Sequence, residues 1–163
     1  MGSSGPITIR PAGEDDVPLL TRLLRAFQDD ARRFDGDLDH GRALGTAAVV
    51  AAMLEGCRQR RGAVLIAELD GQPAGFASCA LEAEDISLKP GRRKSLEIDD
   101  LFVLPGARRR GVARRLIEAA AEHGRAMGAI RLTAVAYAGN QAALEAYRAA
   151  GFEGHQVRLL RRL

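Results

Sequence analysis

The order of β-type and helix-type segments predicts an α/β (α+β) fold, β-α-α-β-β-β-α-β-α-β. Three observations carry that expectation. Short apolar runs are bounded by turn residues, stretches of helical period lie between them, and Asp70-Gly71 joins two adjacent runs as a hairpin turn. With 163 residues, 47% hydrophobic and 28% charged, the chain has the size and balance of one globular domain. Aromatics are only 4% and Trp is absent, so aliphatic side chains and alanine must fill the core.

Each element has its own warrant. Ile7 to Arg10 is a β-type run closed by Pro11. Acidic helix-start residues follow at 14–16, then Val17, Leu20, Leu24 and Phe27 repeat at helical spacing. Residues 28–40 are polar and read as a loop. Gly41 to Arg60, with Leu44, Val50, Met53 and Leu54, reads as a second helix ended by Gly62. Ala63–Ala67 and Pro73–Leu81 flank the hairpin turn, and polar residues 82–94 form a loop. Leu96–Val103 reads as a strand although it holds three carboxylates, and Pro105-Gly106 stops it. Arg110 to Met127 is the clearest helix, with Val112, Ala113, Leu116, Ile117, Ala120, Ala121 and Gly124 on one face. Ile130–Tyr137 is a strand. Asn140 caps a helix from Gln141 to Gly151, and Phe152–Leu160 is a last strand.

Composition narrows the class of function. No apolar run approaches the roughly 18 residues of a membrane span, and no secretory leader is visible. Residues 1–6, opening MGSSG, read as a cloning remnant, leaving 7–163 as a single domain. Cys57 and Cys79 make no C-x-x-C, so reduced thiols in a cytoplasmic protein are expected. The net charge of +3 favours anionic ligands only mildly. His40, His123 and His155 are scattered, so no metal site is expected. No G-x-S-x-G elbow occurs.

Two segments carry a chemical signal. The first is Arg108-Arg109-Arg110-Gly111-Val112-Ala113, where a strand gives way to a helix. Unpaired N–H groups at a helix start attract anions, and small residues let a ligand approach the backbone. The run therefore suits a pyrophosphate, although alone it reads equally as an arginine-rich turn. Neither a Walker loop nor the G-x-G-x-x-G fingerprint is present. The second is Asn140 with Tyr147 two helical turns on, followed by Gly151-Phe152. Taken alone, capping explains Asn140 and packing explains Tyr147.

Together the two segments resemble the GCN5-related N-acetyltransferase (GNAT) family. Arg108 to Ala113 fits its Gln/Arg-x-x-Gly-x-Gly/Ala signature, and Asn140, Tyr147, Gly151 and Phe152 fit its later motif. The resemblance implies the family's fold, a mixed and mostly antiparallel twisted sheet flanked by helices. It implies acetyl-CoA as co-substrate, with no metal, and acetyl transfer to an amine by direct attack. Pyrophosphate contacts would fall on Arg108, Arg109, Arg110, Gly111, Val112, Ala113 and Arg114, with Asn140 and Tyr147 also at the cofactor. The pantetheine arm would lie between the strand ending at Val103 and the strand from Ile130, which splay apart in this family. A main-chain N–H near Leu101, Phe102 or Val103 would polarise the thioester carbonyl. Tyr147 looks like the general acid toward the departing sulfur.

For the base, Glu97, Asp99 and Asp100 stand open. Strand alternation puts Glu97 and Asp99 on one face and Asp100 on the other, unless a bulge intervenes. Ile98–Val103 is similar to the polyamine-acetylating branch, which has a Glu before the Asp. By that alignment Asp99 takes the base position, and its shorter side chain favours relay through water. The acids read equally as a patch that binds a cation. Either way a small-molecule amine is the expected acceptor, with a protein amino group or a non-catalytic CoA-binding role as alternatives. Arg92-Arg93-Lys94 and the arginines of 158–162 raise a nucleic-acid reading, but solvated surface explains them. No nucleic-acid or membrane partner is expected, and a homodimer is admitted.

Overall fold

The computed structural model describes residues 5–38 and 45–163. Among these residues the strands and α-helices follow in order: β1 (Ile7–Pro11), α1 (Val17–Ala31), α2 (Thr46–Gln59), β2 (Ala63–Leu69), β3 (Gln72–Leu81), β4 (Ser95–Val103), α3 (Val112–Ala126), β5 (Arg131–Ala134) and α4 (Gln141–Ala149). The strands form one sheet in the order β1-β2-β3-β4-β5. The first three pairings are antiparallel and β4–β5 is parallel, so the sheet is mixed and mostly antiparallel, as expected.

The sheet is buried on both faces, which is why β2 and β3 read as continuous apolar runs. On one face Leu20, Leu23 and Leu24 of α1 and Val50 and Cys57 of α2 pack on Val64, Ile66, Phe76 and Phe102. On the other, Val112, Leu116, Ile117 and Ala120 of α3 pack on Leu65, Ala67, Ala77, Cys79, Leu96 and Ile98. Both thiols are free and buried. Burial pushes the Cys57 thiol up to about 11, so it is unreactive at neutral pH.

Four expectations need correction or limit. Helix α1 runs to Ala31, past the predicted loop start, because Gln28 and Ala31 continue its buried stripe. Helix α2 begins at Thr46; residues 41–44 of its predicted start, and His40, lie outside the described residues. Strand β5 is shorter than Ile130–Tyr137, since β4 diverges from it after Ala134. The last predicted strand, Phe152–Leu160, does not form. Its apolar residues Val157, Leu159 and Leu160 are exposed and no strand pairs with them among the described residues. A strand without a neighbour has no ladder to hold it.

Candidate active site

The turn into α3 is the first part of the site. Arg109 and Gly111 both have positive φ, +61° and +87°. Gly111 is the residue type that takes such a φ without strain. The backbone thereby turns its successive N–H groups outward. Among the described residues, no acceptor takes the N–H groups from Arg109 to Arg114; the first helical bond is Arg115 N–H to Gly111 O, 3.1 Å. That run of free amides at a helix N-terminus is a concave anion cradle.

The arginine side chains beside it are partly engaged elsewhere. Arg108 donates to Val103 O (2.9 Å) and to Asp30 of α1 (3.1 Å), and lies 5.8 Å from the Phe102 ring. Arg110 donates to Asp70 in the β2–β3 turn, 3.3 Å. The anion-binding capacity of the turn therefore resides chiefly in its backbone.

Next to the cradle the sheet opens. The β4–β5 register runs from Ser95↔Arg131 to Ile98↔Ala134 and stops. Residues 99–103 of β4 continue with no strand on that side among the described residues. Such an edge offers main-chain groups to an extended ligand. Leu101 and Val103 pack toward the α3 face, while Phe102 is buried on the α1/α2 face.

Helix α4 borders this opening. Asn140 Oδ1 accepts from Ala143 N–H at 3.1 Å, so its side chain caps the helix. At the other end Gly151 N–H bonds to Arg148 O and Phe152 N–H to Tyr147 O, both 3.0 Å. With Gly151 at φ +89° this is a Schellman cap, and its hydrophobic contact is Phe152 against Tyr147, rings 5.1 Å apart. The Gly-Phe pair thus fixes the Tyr147 ring. Tyr147 is 8% exposed, and its hydroxyl has no hydrogen-bond partner among the described residues. Burial, with the Asp100 charge adding, pushes its phenol up to about 12, so it stays a proton donor at neutral pH.

The carboxylates of β4 are arranged by a bulge. Ser78 pairs with Asp100, but Cys79 pairs with Ile98, so Asp99 has no partner on β3. The extra residue resets the alternation: Leu96 and Ile98 face α3, whereas Phe102 faces α1 and α2. Simple alternation is therefore overturned: Glu97 shares a face with Asp100, not with a regularly placed Asp99. Each acid has a distinct setting. Asp100 accepts from the buried Ser78 hydroxyl at 2.7 Å. Asp99 binds Arg60, at the end of α2, at 2.5 Å. Glu97 is half-buried, with no hydrogen bond or ion pair among the described residues. Its carboxyl is raised above the ordinary glutamate value by burial, then by Glu82 and Asp99. Glu82 accepts from Thr133 of β5 at 3.1 Å.

Arg60, Ser78 and Glu82 did not stand out in the sequence. Ser78 left a faint signal, a polar residue inside the apolar run of β3. Arg60 left none, since its partner lies 39 positions away. Among the described residues no cluster of His, Cys, Asp and Glu could hold a metal, and no helix is long and apolar enough to cross a membrane.

Known proteins share this architecture. Residues 20–152 match the model of the acetyltransferase (GNAT) family. An uncharacterized N-acetyltransferase, YhfO, of Bacillus subtilis is 29% identical over 147 residues, 90% of each chain. An aminoglycoside N(6')-acetyltransferase type 1 of Klebsiella aerogenes is 36% identical over 115 residues, covering 69% of this chain and 74% of its own. Among solved structures, the aminoglycoside N-acetyltransferase AAC(6')-Iy in complex with CoA superposes with a TM-score of 0.73 at 22% identity, covering 100% of this chain and 98% of its own. The chain belongs to the GNAT acetyltransferase family and is an N-acetyltransferase that uses acetyl-CoA.

Proposed function

We propose that the protein acetylates a primary amine of a small cationic molecule, with both substrates bound together. One observation carries the substrate class: the β4 bulge sets Glu97, Asp99 and Asp100 close together, beside the open edge where the thioester belongs. An ammonium group entering there meets net negative charge and must lose a proton before it attacks. The relative from Klebsiella, named as an aminoglycoside acetyltransferase, supports a polyamine-like or aminoglycoside-like acceptor.

Acetyl-CoA supplies the acetyl thioester. The amides of Arg109 to Arg114 hold its pyrophosphate, and Gly111 keeps their turn open. Main-chain groups of Leu101 to Val103 orient the arm and polarise the carbonyl. The base is drawn from the three β4 acids. Glu97 is the one left unpaired and raised toward working pH, which suits it to take the ammonium proton directly or through water. Tyr147 gives its proton to the departing sulfur. On this reading residues 7–163 are one N-acetyltransferase domain, and the two free, buried thiols support a reducing, cytoplasmic setting.

Calorimetric titration with acetyl-CoA, followed by an amine panel read by thiol release, tests this. Micromolar acetyl-CoA affinity and thiol release with spermidine or kanamycin are expected. Acetyl-CoA binding with release only on a protein substrate would overturn the small-molecule reading.

A further inference from the structure

The three β4 carboxylates are not equivalent, and the residue that separates them lies on another element. Arg60 directly follows α2 and is held on both sides of its backbone. Its N–H bonds to Gly56 O (3.2 Å), and its carbonyl accepts from Leu81 N–H at the end of β3 (3.0 Å). From that anchor its guanidinium reaches Asp99, the residue pushed out of register by the bulge, at 2.5 Å. The two side chains are 45% and 29% exposed, so the pair sits at the mouth of the site rather than in the core.

We propose that Arg60 is a positioning residue of the acceptor site: it holds Asp99 as a fixed anion and so leaves Glu97 as the carboxylate open to the incoming amine. Asp100 is already held by Ser78. The charged groups that act on Glu97 are Glu82 at the end of β3, Asp99 on its own strand, Arg60 after α2 and Arg158 in the C-terminal segment. Without Arg60, Asp99 would be an uncompensated anion two residues from Glu97, and either acid could claim the ammonium. The catalytic consequence rests on the function proposed above; the electrostatic division does not.

The test therefore has two arms. In the first, carboxyl carbons of Glu and Asp are labelled with carbon-13 and titrated by NMR in the free protein, with Glu97→Gln used for assignment. Arg60→Gln should move the Glu97 midpoint up by about half a pH unit or more, and Asp99→Asn should move it down. Arg60→Lys should restore it. No movement in Arg60→Gln and Asp99→Asn, or movement of both in one direction, overturns the proposal. The opposed signs separate this from a structural loss, which would not move one carboxyl two ways. In the second arm, the acidic limb of kcat/KM for spermidine or kanamycin should shift with the NMR midpoint, while acetyl-CoA affinity holds. A limb that stays fixed while the midpoint moves would overturn the role of Arg60 in acceptor activation. If neither amine is acetylated, the small-molecule reading fails and the NMR arm alone decides the division of charge.

Discussion

Tyr147 is the residue where packing and chemistry meet. A buried hydroxyl without a partner costs stability, yet the ring is fixed by Phe152 and the α4 cap. The function proposed above gives that hydroxyl a partner, the departing sulfur. Tyr147→Phe should lower kcat by about 100-fold or more at saturating acetyl-CoA. Its melting temperature should be unchanged or higher, since the unpaired hydroxyl is gone; thermal melting with steady-state kinetics checks both. Asp16 shows the opposite case, a carboxylate with full partners. It accepts two bonds from Arg10 (2.9 and 2.8 Å) and one from Gly13 N–H, and these hold its carboxyl down to about 2. A depressed carboxyl stabilises above its ordinary value of 3.8 and loses that contribution as pH falls toward 2. Solvent screens the pair, so Asp16→Asn should cost about 1 kcal/mol at pH 7. The difference should vanish near the folded value, in urea unfolding followed across pH. The Asn140 cap and the packing of Tyr147 were legible because both depend on neighbours a few residues away. Arg60 was not, because its partner is brought to it only by the sheet.

At the scale of elements, local signals served well wherever the partner was adjacent. The Asp-Gly turn, the α3 stripe and the α4 caps all lie within a few residues of what they determine. The bulge in β4 was admitted as a possibility but not located, since a one-residue shift changes which face each side chain takes without changing composition. The final strand failed for the converse reason: its pattern is strand-like, but no edge receives it. The turn into α3 is the element most open to test. Gly111→Val places a β-branched residue at φ +87°, a strain that shifts the turn and the amides it presents. Acetyl-CoA affinity should fall by about tenfold or more, read by calorimetry, since one lost amide contact to a phosphate is worth at least 1.4 kcal/mol, roughly.

For the whole molecule, one sheet serves two cores. Ile66 and Phe76 face α1 and α2 while Leu65 and Ala77 face α3, so neither face can be lost without the other. Leu20→Ala, at a fully buried position, should therefore lower global stability by about 2–5 kcal/mol. Fluorescence-free probes such as far-ultraviolet circular dichroism should report one transition in urea. The mixed sheet was legible as a family expectation, and its two-faced burial as unbroken apolar runs. The bulge has a consequence in the currency of insertions and deletions. With Asp99 removed, Glu97, Asp100 and Phe102 would alternate regularly with Ile98, Leu101 and Val103, and every buried side chain of β4 would keep its face. A chain one residue shorter should fold with a near-native melting temperature, yet acetylate amines poorly, because Arg60 would fall to Glu97. Asp99 would then be a residue that the fold does without and the proposed acceptor site does not.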